Sequence, residues 1–208
     1  MKLDFRLYLI TDRRLFPDNR ALMAAVQKAL KGGVKAIQLR EKDLETRELL
    51  KLAYKMKALT LKYKAKLFIN DRFDIALAVN AEGVHLTQNS IPVESVRATV
   101  KRKLFIGVST HSLREAKEAD SGGADFITFG PVYTTPSKLR YGSPVGIDAL
   151  KEVSRRMKIP VFAIGGITKG RVKDIQQAGA HGAAMIREVF ASGDIQKNAT
   201  EVINLLGA

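Results

Sequence analysis

The stretch Ala124-Asp125-Phe126-Ile127-Thr128-Phe129-Gly130-Pro131-Val132-Tyr133-Thr134-Thr135-Pro136-Ser137-Lys138 runs from an apolar segment into a loop of hydroxyls and one lysine. Residues 124–129 have the length and apolar content of a buried strand. Gly130-Pro131 then punctuates the strand. The loop beyond is poorly suited to packing and well suited to gripping an anion, because hydroxyls and an ammonium satisfy phosphate oxygens without demanding a fixed plane.

Outward from this strand the same unit recurs. Residues 7–11, 36–39, 67–69, 83–86 and 103–108 read as earlier strands, and 160–164 and 182–186 as later ones. Apolar residues at helical spacing fill the intervals at 19–30, 46–61, 73–79, 92–101, 112–119 and 147–157. A further helix is expected beyond Thr168, which is placed to cap it, and a last one over 195–206. Eight strands alternating with eight helices, with no long linker or break in composition, predict a parallel sheet fed by right-handed crossovers. The count closes a single (β/α)8 TIM barrel over residues 1–208. An open doubly wound sheet would carry a glycine-rich phosphate turn after its first strand, and none follows Ile10. A faint internal echo accompanies the repeat: the turns before strands two, four, six and eight read Gly32-Gly33-Val34, Ala81-Glu82-Gly83, Gly122-Gly123-Ala124 and Ala178-Gly179-Ala180, as glycine caps of helices would.

Composition narrows the partners. The chain has 208 residues, 46% of them hydrophobic, enough for a sizeable core. Cysteine is absent, which removes disulfides, thiolate metal sites and cysteine nucleophiles together. No run approaches the length of a membrane span and the N-terminus lacks a signal-peptide core, so a cytoplasmic protein without a membrane partner is expected. The 35 Lys plus Arg exceed the 21 Asp plus Glu, a formal net charge of +14. Such an excess attracts phosphorylated metabolites or nucleic acid. The basic residues are dispersed, as in Lys51, Lys55, Lys57, Lys62, Lys64 and Lys66, and carry no nucleic-acid signature, so small phosphorylated substrates are expected rather than specific nucleic-acid readout. A homodimer is left open.

In a barrel, polar residues just past the strand C-termini converge on one face. Here they are Arg40, Lys42, Asn70, Asp71, His85, Gln88, Ser109, His111, Thr135, Ser137, Lys138, Gly165 and Gly166. The set is cationic and rich in donors, with Asp71 as its one obvious carboxylate, and describes a site for more than one phosphate with room for a metal. Arg40 and Lys42 alternate at the end of their strand, so both are expected to face the mouth while Glu41 turns outward. Gly165-Gly166 after the seventh strand sits where barrels bind phosphate on backbone amides. Asn70-Asp71 suits Mg²⁺ that also takes diphosphate oxygens and waters; the alternative is a helix cap. No pair of histidines has zinc spacing.

Taken together, Gln38-Leu39-Arg40-Glu41-Lys42, Asn70-Asp71-Arg72, Gly83-Val84-His85-Leu86, Gly107-Val108-Ser109-Thr110-His111, Phe129-Gly130-Pro131-Val132-Tyr133, residues 135–138 and Ile164-Gly165-Gly166-Ile167 resemble the thiamin phosphate synthase family, in the family's order and along nearly the whole chain. The resemblance implies a barrel that joins an aminopyrimidine diphosphate to a thiazole phosphate and releases diphosphate. It assigns Gln38, Arg40, Lys42, Asn70 and Lys138 to the diphosphate and Asp71 to Mg²⁺. Tyr8, His85 and Ser109 would surround the pyrimidine. Thr135, Ser137 and the amides at Gly166 and near Ile186 would receive the thiazole phosphate. On this reading Lys138, Ser109 and His111 are the candidate catalytic residues.

Two positions depart from the family pattern. Ser90 stands where a second Mg²⁺ aspartate is expected, and Arg187 replaces a serine after Ile186. Both departures are compatible with the related thiazole tautomerase branch, which would use His111 to move a proton and would need neither diphosphate nor metal. A non-catalytic protein that binds a phosphorylated ligand on the same barrel is the third reading.

Overall fold

A computed structural model describes residues 3–101, 104–135, 143–191 and 193–207. Eight parallel strands close into a barrel in chain order: β1 (Leu7–Ile10), β2 (Ala36–Leu39), β3 (Lys66–Asn70), β4 (Gly83–Leu86), β5 (Phe105–Thr110), β6 (Phe126–Phe129), β7 (Val161–Ile164) and β8 (Gly182–Met185). Between them run α1 (Asn19–Lys31), α2 (Thr46–Lys62), α3 (Phe73–Ala78), α4 (Val93–Val100), α5 (Leu113–Ser121), α6 (Gly146–Arg156) and α7 (Val172–Gln177). After β8 come α8 (Arg187–Phe190) and α9 (Ile195–Leu206). The expected TIM barrel is therefore the observed one. Short 3-10 turns at Arg13–Leu15 and Lys169–Arg171 and the four-residue α8 are additions that apolar periodicity could not show, since none is long enough to display a helical stripe.

Helix α1 illustrates why these segments fold as they do. Its buried residues Leu22, Ala25, Val26, Ala29 and Leu30 repeat at three and four positions, forming one apolar stripe. The Asp18 carboxylate accepts from the Ala21 amide and caps its start. At its end Gly33 takes φ +98°, a conformation that a side chain resists. Gly123 and Gly179 serve their helices in the same way, with φ of +92° and +84°. The fourth member of the echo differs: Gly83 belongs to β4, and Asn80, at φ +51°, supplies the left-handed residue after α3. Asparagine tolerates that conformation better than most side chains. Thr168 occupies the N-cap position of the 3-10 turn, but its side chain makes no capping bond.

The strand period sorts apolar residues into two cores. Outward-facing Leu9, Ile37, Leu67, Val84, Ile106, Ile127 and Ala183 pack beneath the helices, whereas Tyr8, Phe68, Phe105, Phe126 and Phe162 fill the barrel itself. The register runs unbroken around the interior: Ile10 pairs with Gln38, Gln38 with Phe68, Asn70 with His85, His85 with Gly107, Ser109 with Thr128 and Thr128 with Phe162. A one-residue slip anywhere would turn a full set of these side chains the wrong way.

Aromatic rings form the floor of the barrel and a polar layer lies above it. Phe126 meets Tyr8, Phe68 and Phe162 edge-on at centroid distances of 5.4, 5.5 and 5.4 Å. Above, the Gln38 amide donates to the Tyr8 hydroxyl at 3.2 Å, and the His85 ring reaches that hydroxyl through Nδ1 at 3.4 Å and the Ser109 hydroxyl through Nε2 at 3.0 Å. Burial, helped by the nearby Arg40 charge, pushes the His85 imidazolium down to about 3. Burial likewise raises the Tyr8 phenol well above its ordinary range.

Two outcomes are expected. A Cβ at Gly182 would lie 2.1 Å from the Arg6 carbonyl oxygen, a backbone atom with nowhere to go. Gly182→Ala should therefore cost about 1–3 kcal/mol, as overpacked sites do, seen as a lower melting temperature. The second outcome is a titration. Above about pH 6.5 His85 is neutral folded or unfolded, so it gives stability no pH dependence there; below that, the unfolded chain takes up a proton that the folded one refuses. Its contribution to stability should fall as pH drops from about 6.5 towards 3, and imidazole NMR shifts should show no His85 protonation at pH 5.

Candidate active site

The polar layer opens at the C-terminal ends of the strands, and that face collects the candidate residues. Gln38, Asn70, His85 and Ser109 lie within their strands rather than in the loops beyond. They are therefore placed by sheet register, which is more rigid than a loop. Gly107 makes room for this layer: a Cβ there would stand 2.7 Å from His85 Nδ1 and 2.4 Å from Phe126 Cζ. Thr128, 3.5 Å from His85 Nε2, completes it. Neither residue has a catalytic look in sequence, and only the register reveals them.

Arg40 follows β2 and is half-buried, close enough to His85 for its charge to help keep the imidazole neutral. Lys42 is exposed two residues on. Glu41 does not turn outward as the alternation predicted. It is only 5% exposed, accepting from the Thr11 hydroxyl at 2.5 Å and from the Arg13 amide at 2.9 Å. The strand has already ended at Leu39, so alternation no longer governs its direction. The Thr11 hydroxyl in turn accepts from the Arg40 amide at 3.0 Å. Glu41 thus ties the β1 loop to the backbone that carries Arg40. Burial raises its carboxyl, while the Thr11 and Arg13 hydrogen bonds pull it back down.

Asn70 ends β3, and Asp71 follows with φ +66° and its amide donating to the His85 carbonyl at 2.8 Å. The capping alternative does not hold: the N-cap of α3 is Arg72, and no side chain caps that helix. The exposed Asp71 carboxylate accepts no hydrogen bond from the described residues. Ser90 lies in the turn after β4, where its hydroxyl accepts from the Thr87 amide at 2.7 Å and meets the Thr87 hydroxyl at 3.1 Å. Gln88 in the same turn is exposed. Among the described residues, no three His, Cys, Asp or Glu cluster as a metal site.

On the opposite rim, the His111 Nδ1 meets the Gly130 carbonyl and its amide donates to Glu115. A carbonyl only accepts, so Nδ1 carries the proton and Nε2 of the neutral ring is left as the basic atom. Gly165 and Gly166 have φ of +96° and +66°, and a Cβ on either would collide with Pro131 or with the Thr134 carbonyl. The β6 loop, reaching Thr135, therefore lies directly against the β7 turn. Ile186 is the N-cap of α8 and Arg187 its exposed first residue. Ser137 and Lys138 lie outside the described residues.

Comparison with known proteins agrees with this geometry. A family model described as thiamine monophosphate synthase matches residues 7–189. A Geobacter sulfurreducens protein named "Putative thiamine-phosphate synthase" is 49% identical over 99% of this chain and 96% of its own. A "Thiamine-phosphate synthase" of Clostridium novyi is 40% identical over 99% of this chain and 100% of its own. The solved thiamine phosphate pyrophosphorylase of Pyrococcus furiosus superposes with a TM-score of 0.87 at 38% identity, covering 97% of this chain and 95% of that one. With a match that spans every strand of the barrel and relatives aligned over their full length, the chain belongs to the thiamine monophosphate synthase family.

Proposed function

We propose that the protein is a thiamin phosphate synthase, a transferase of thiamin biosynthesis that joins an aminopyrimidine diphosphate to a thiazole phosphate. The observation that carries the reading is the end of β3. Asn70 pairs in register with His85, and the next residue presents a carboxylate held by a fixed backbone and accepting no hydrogen bond within the described residues. A diphosphate with its cation uses such a carboxylate; a tautomerase has no need of it.

The donor set fits Mg²⁺. This ion is held by one or two carboxylates plus phosphate oxygens and waters rather than by an all-protein cage, so Asp71 with the substrate's own oxygens is sufficient. Ser90, its hydroxyl already engaged in the turn, adds at most a neutral oxygen. When bound, the ion supplies positive charge to the departing diphosphate. The chain's own groups do the rest. Gln38, Arg40, Lys42, Asn70 and Lys138 hold the leaving group, while Tyr8, His85 and Ser109 offer the pyrimidine a hydrogen-bonding floor. Thr135, Ser137 and the amides at Gly166 and near Ile186 seat the thiazole phosphate, with Arg187 at the rim.

As the C–O bond breaks, its electron pair leaves with the diphosphate and a pyrimidine-stabilised cation remains. The thiazole nitrogen then gives its lone pair to that carbon. Neither step requires a strong base, and the work is charge neutralisation and positioning. A neutral His85 suits such a site, since an imidazolium beneath the pyrimidine would oppose the developing cation. One feature favours the tautomerase as a second reading: His111 is oriented by Gly130 with its basic nitrogen uncommitted to that contact.

Incubation of the two phosphorylated substrates with Mg²⁺ should give thiamin phosphate, and excess chelator should abolish it. Asp71→Asn should lower turnover by roughly a hundredfold, several kcal/mol of leaving-group stabilisation being at stake. Metal-independent proton exchange on the thiazole phosphate, lost in His111→Ala, would instead identify the tautomerase. Glu41→Ala leaves the Thr11 hydroxyl and the Arg13 amide without their acceptor, which should raise KM for the diphosphate substrate about tenfold through a displaced Arg40; an unchanged KM would separate Glu41 from that task.

A further inference from the structure

We propose that Arg171 is a positioning residue that clamps the loop after β6 onto the Gly165-Gly166 turn and so keeps the thiazole phosphate subsite in shape; the inference rests on the synthase reading. Arg171 ends the 3-10 turn before α7, and nothing in its sequence neighbourhood marks it for the site. Its guanidinium nevertheless makes two contacts that bridge the subsite. Nη1 donates to the Gly166 carbonyl at 2.6 Å, and the guanidinium carbon lies 4.2 Å from the centroid of the Tyr133 ring.

The backbone closes the circuit. The Tyr133 amide donates to the Gly165 carbonyl at 3.0 Å, and the Val132 amide to the Ile164 carbonyl at 2.9 Å. Tyr133 is thus fixed to Gly165 by its main chain and to Gly166 through Arg171. Its immediate successors are Thr134 and Thr135, so the clamp acts where the hydroxyls begin. The fit tolerates no slack: a Cβ on Gly166 would lie 2.8 Å from the Thr134 oxygen and 2.9 Å from Tyr133 Cβ. Burial and the nearby Asp174 carboxylate of α7 raise the Tyr133 phenol above its ordinary range, against the pull of the Arg171 charge, so the guanidinium faces a neutral ring.

The choice of arginine follows from the two tasks. A planar guanidinium stacks on an aromatic face while its edge donates to a carbonyl, which an ammonium does not do at once. If the clamp merely supported the fold, its loss would lower stability and leave substrate selectivity alone. If it sets the spacing between the two phosphate-binding segments, its loss should fall on one substrate.

The test varies each substrate against wild type, Arg171→Ala, Tyr133→Leu and the double variant, with calorimetric binding of thiazole phosphate alongside. Arg171→Ala should raise KM for the thiazole phosphate about tenfold, a size expected for a lost charge-assisted hydrogen bond and ring contact. The KM for the pyrimidine diphosphate should stay within about twofold, and the double variant should be no worse than either single one, as partners in one contact behave. A thiazole phosphate KM unchanged in folded Arg171→Ala, or an equal rise in both KM values, overturns the proposal. Should Arg171→Ala fail to fold, Tyr133→Leu reads the same clamp from the ring side. If wild type forms no product, calorimetry separates the two ideas: weaker thiazole phosphate binding by the variants upholds the clamp while the synthase reading falls. No binding by wild type overturns both.

Discussion

The interior of an eight-stranded barrel is only just wide enough for side chains to fill, and this constraint shapes everything above it. Phe68, Phe105, Phe126 and Phe162 are accommodated because their register neighbours are small. Gly83 pairs with both Phe68 and Phe105, Gly107 with Phe126, and Gly182 with Phe162. At Gly83 and Gly107 the neighbouring ring occupies the space a Cβ would take, and at Gly182 the backbone of Arg6 does. The aromatic floor therefore fixes the level at which polar groups begin. His85, Gln38 and Ser109 stand at that level because nothing below has room for them.

Placing a histidine there has an electrostatic consequence. With a hydroxyl near each ring nitrogen and Arg40 nearby, the imidazole is satisfied without charge. The carboxylates divide along the same axis. At the N-terminal face, Glu82 accepts from the Leu67 amide and pairs with Lys57, and Asp125 accepts from the Ile106 amide and pairs with Arg97. These acids stitch neighbouring strands together. At the C-terminal face, Glu41 is buried among donors, whereas Asp71 accepts no hydrogen bond from the described residues. The acids Glu82 and Asp125 of the N-terminal face are thus committed to the scaffold, whereas Asp71 at the other face is not.

Much of this was legible in the sequence because the strands obey a short period. Runs such as Leu7-Tyr8-Leu9-Ile10 are apolar on both faces, the signature of a parallel sheet covered by helices. The C-terminal residues of those runs fall at one face of the barrel, as that period implies. What stayed hidden depends on three-dimensional neighbours. Glu41 looked solvent-facing because alternation was extended two residues beyond the strand, and Thr11 gave no sign that its hydroxyl would draw the carboxylate in. Gly83 resembled its counterparts Gly33, Gly123 and Gly179, yet it was needed inside β4, and Asn80 took over the turn. Arg171 was one basic residue among many.

Glu41 and Arg171 share a physical logic that sequence patterns do not encode. A phosphate site draws on groups that must stay loosely paired, for a cation already neutralised by protein grips an anion less well. Such groups cannot be fixed by ion pairs of their own. They have to be fixed through the backbone that carries them, by side chains one layer out. Glu41 does this through Thr11, whose hydroxyl holds the Arg40 amide rather than its guanidinium. Arg171 does it through the Gly166 carbonyl and the Tyr133 ring, a contact that does not engage the Gly166 amide. In both cases the outer residue spends its polarity on the scaffold, and under the proposed function the inner one keeps its polarity for the substrate.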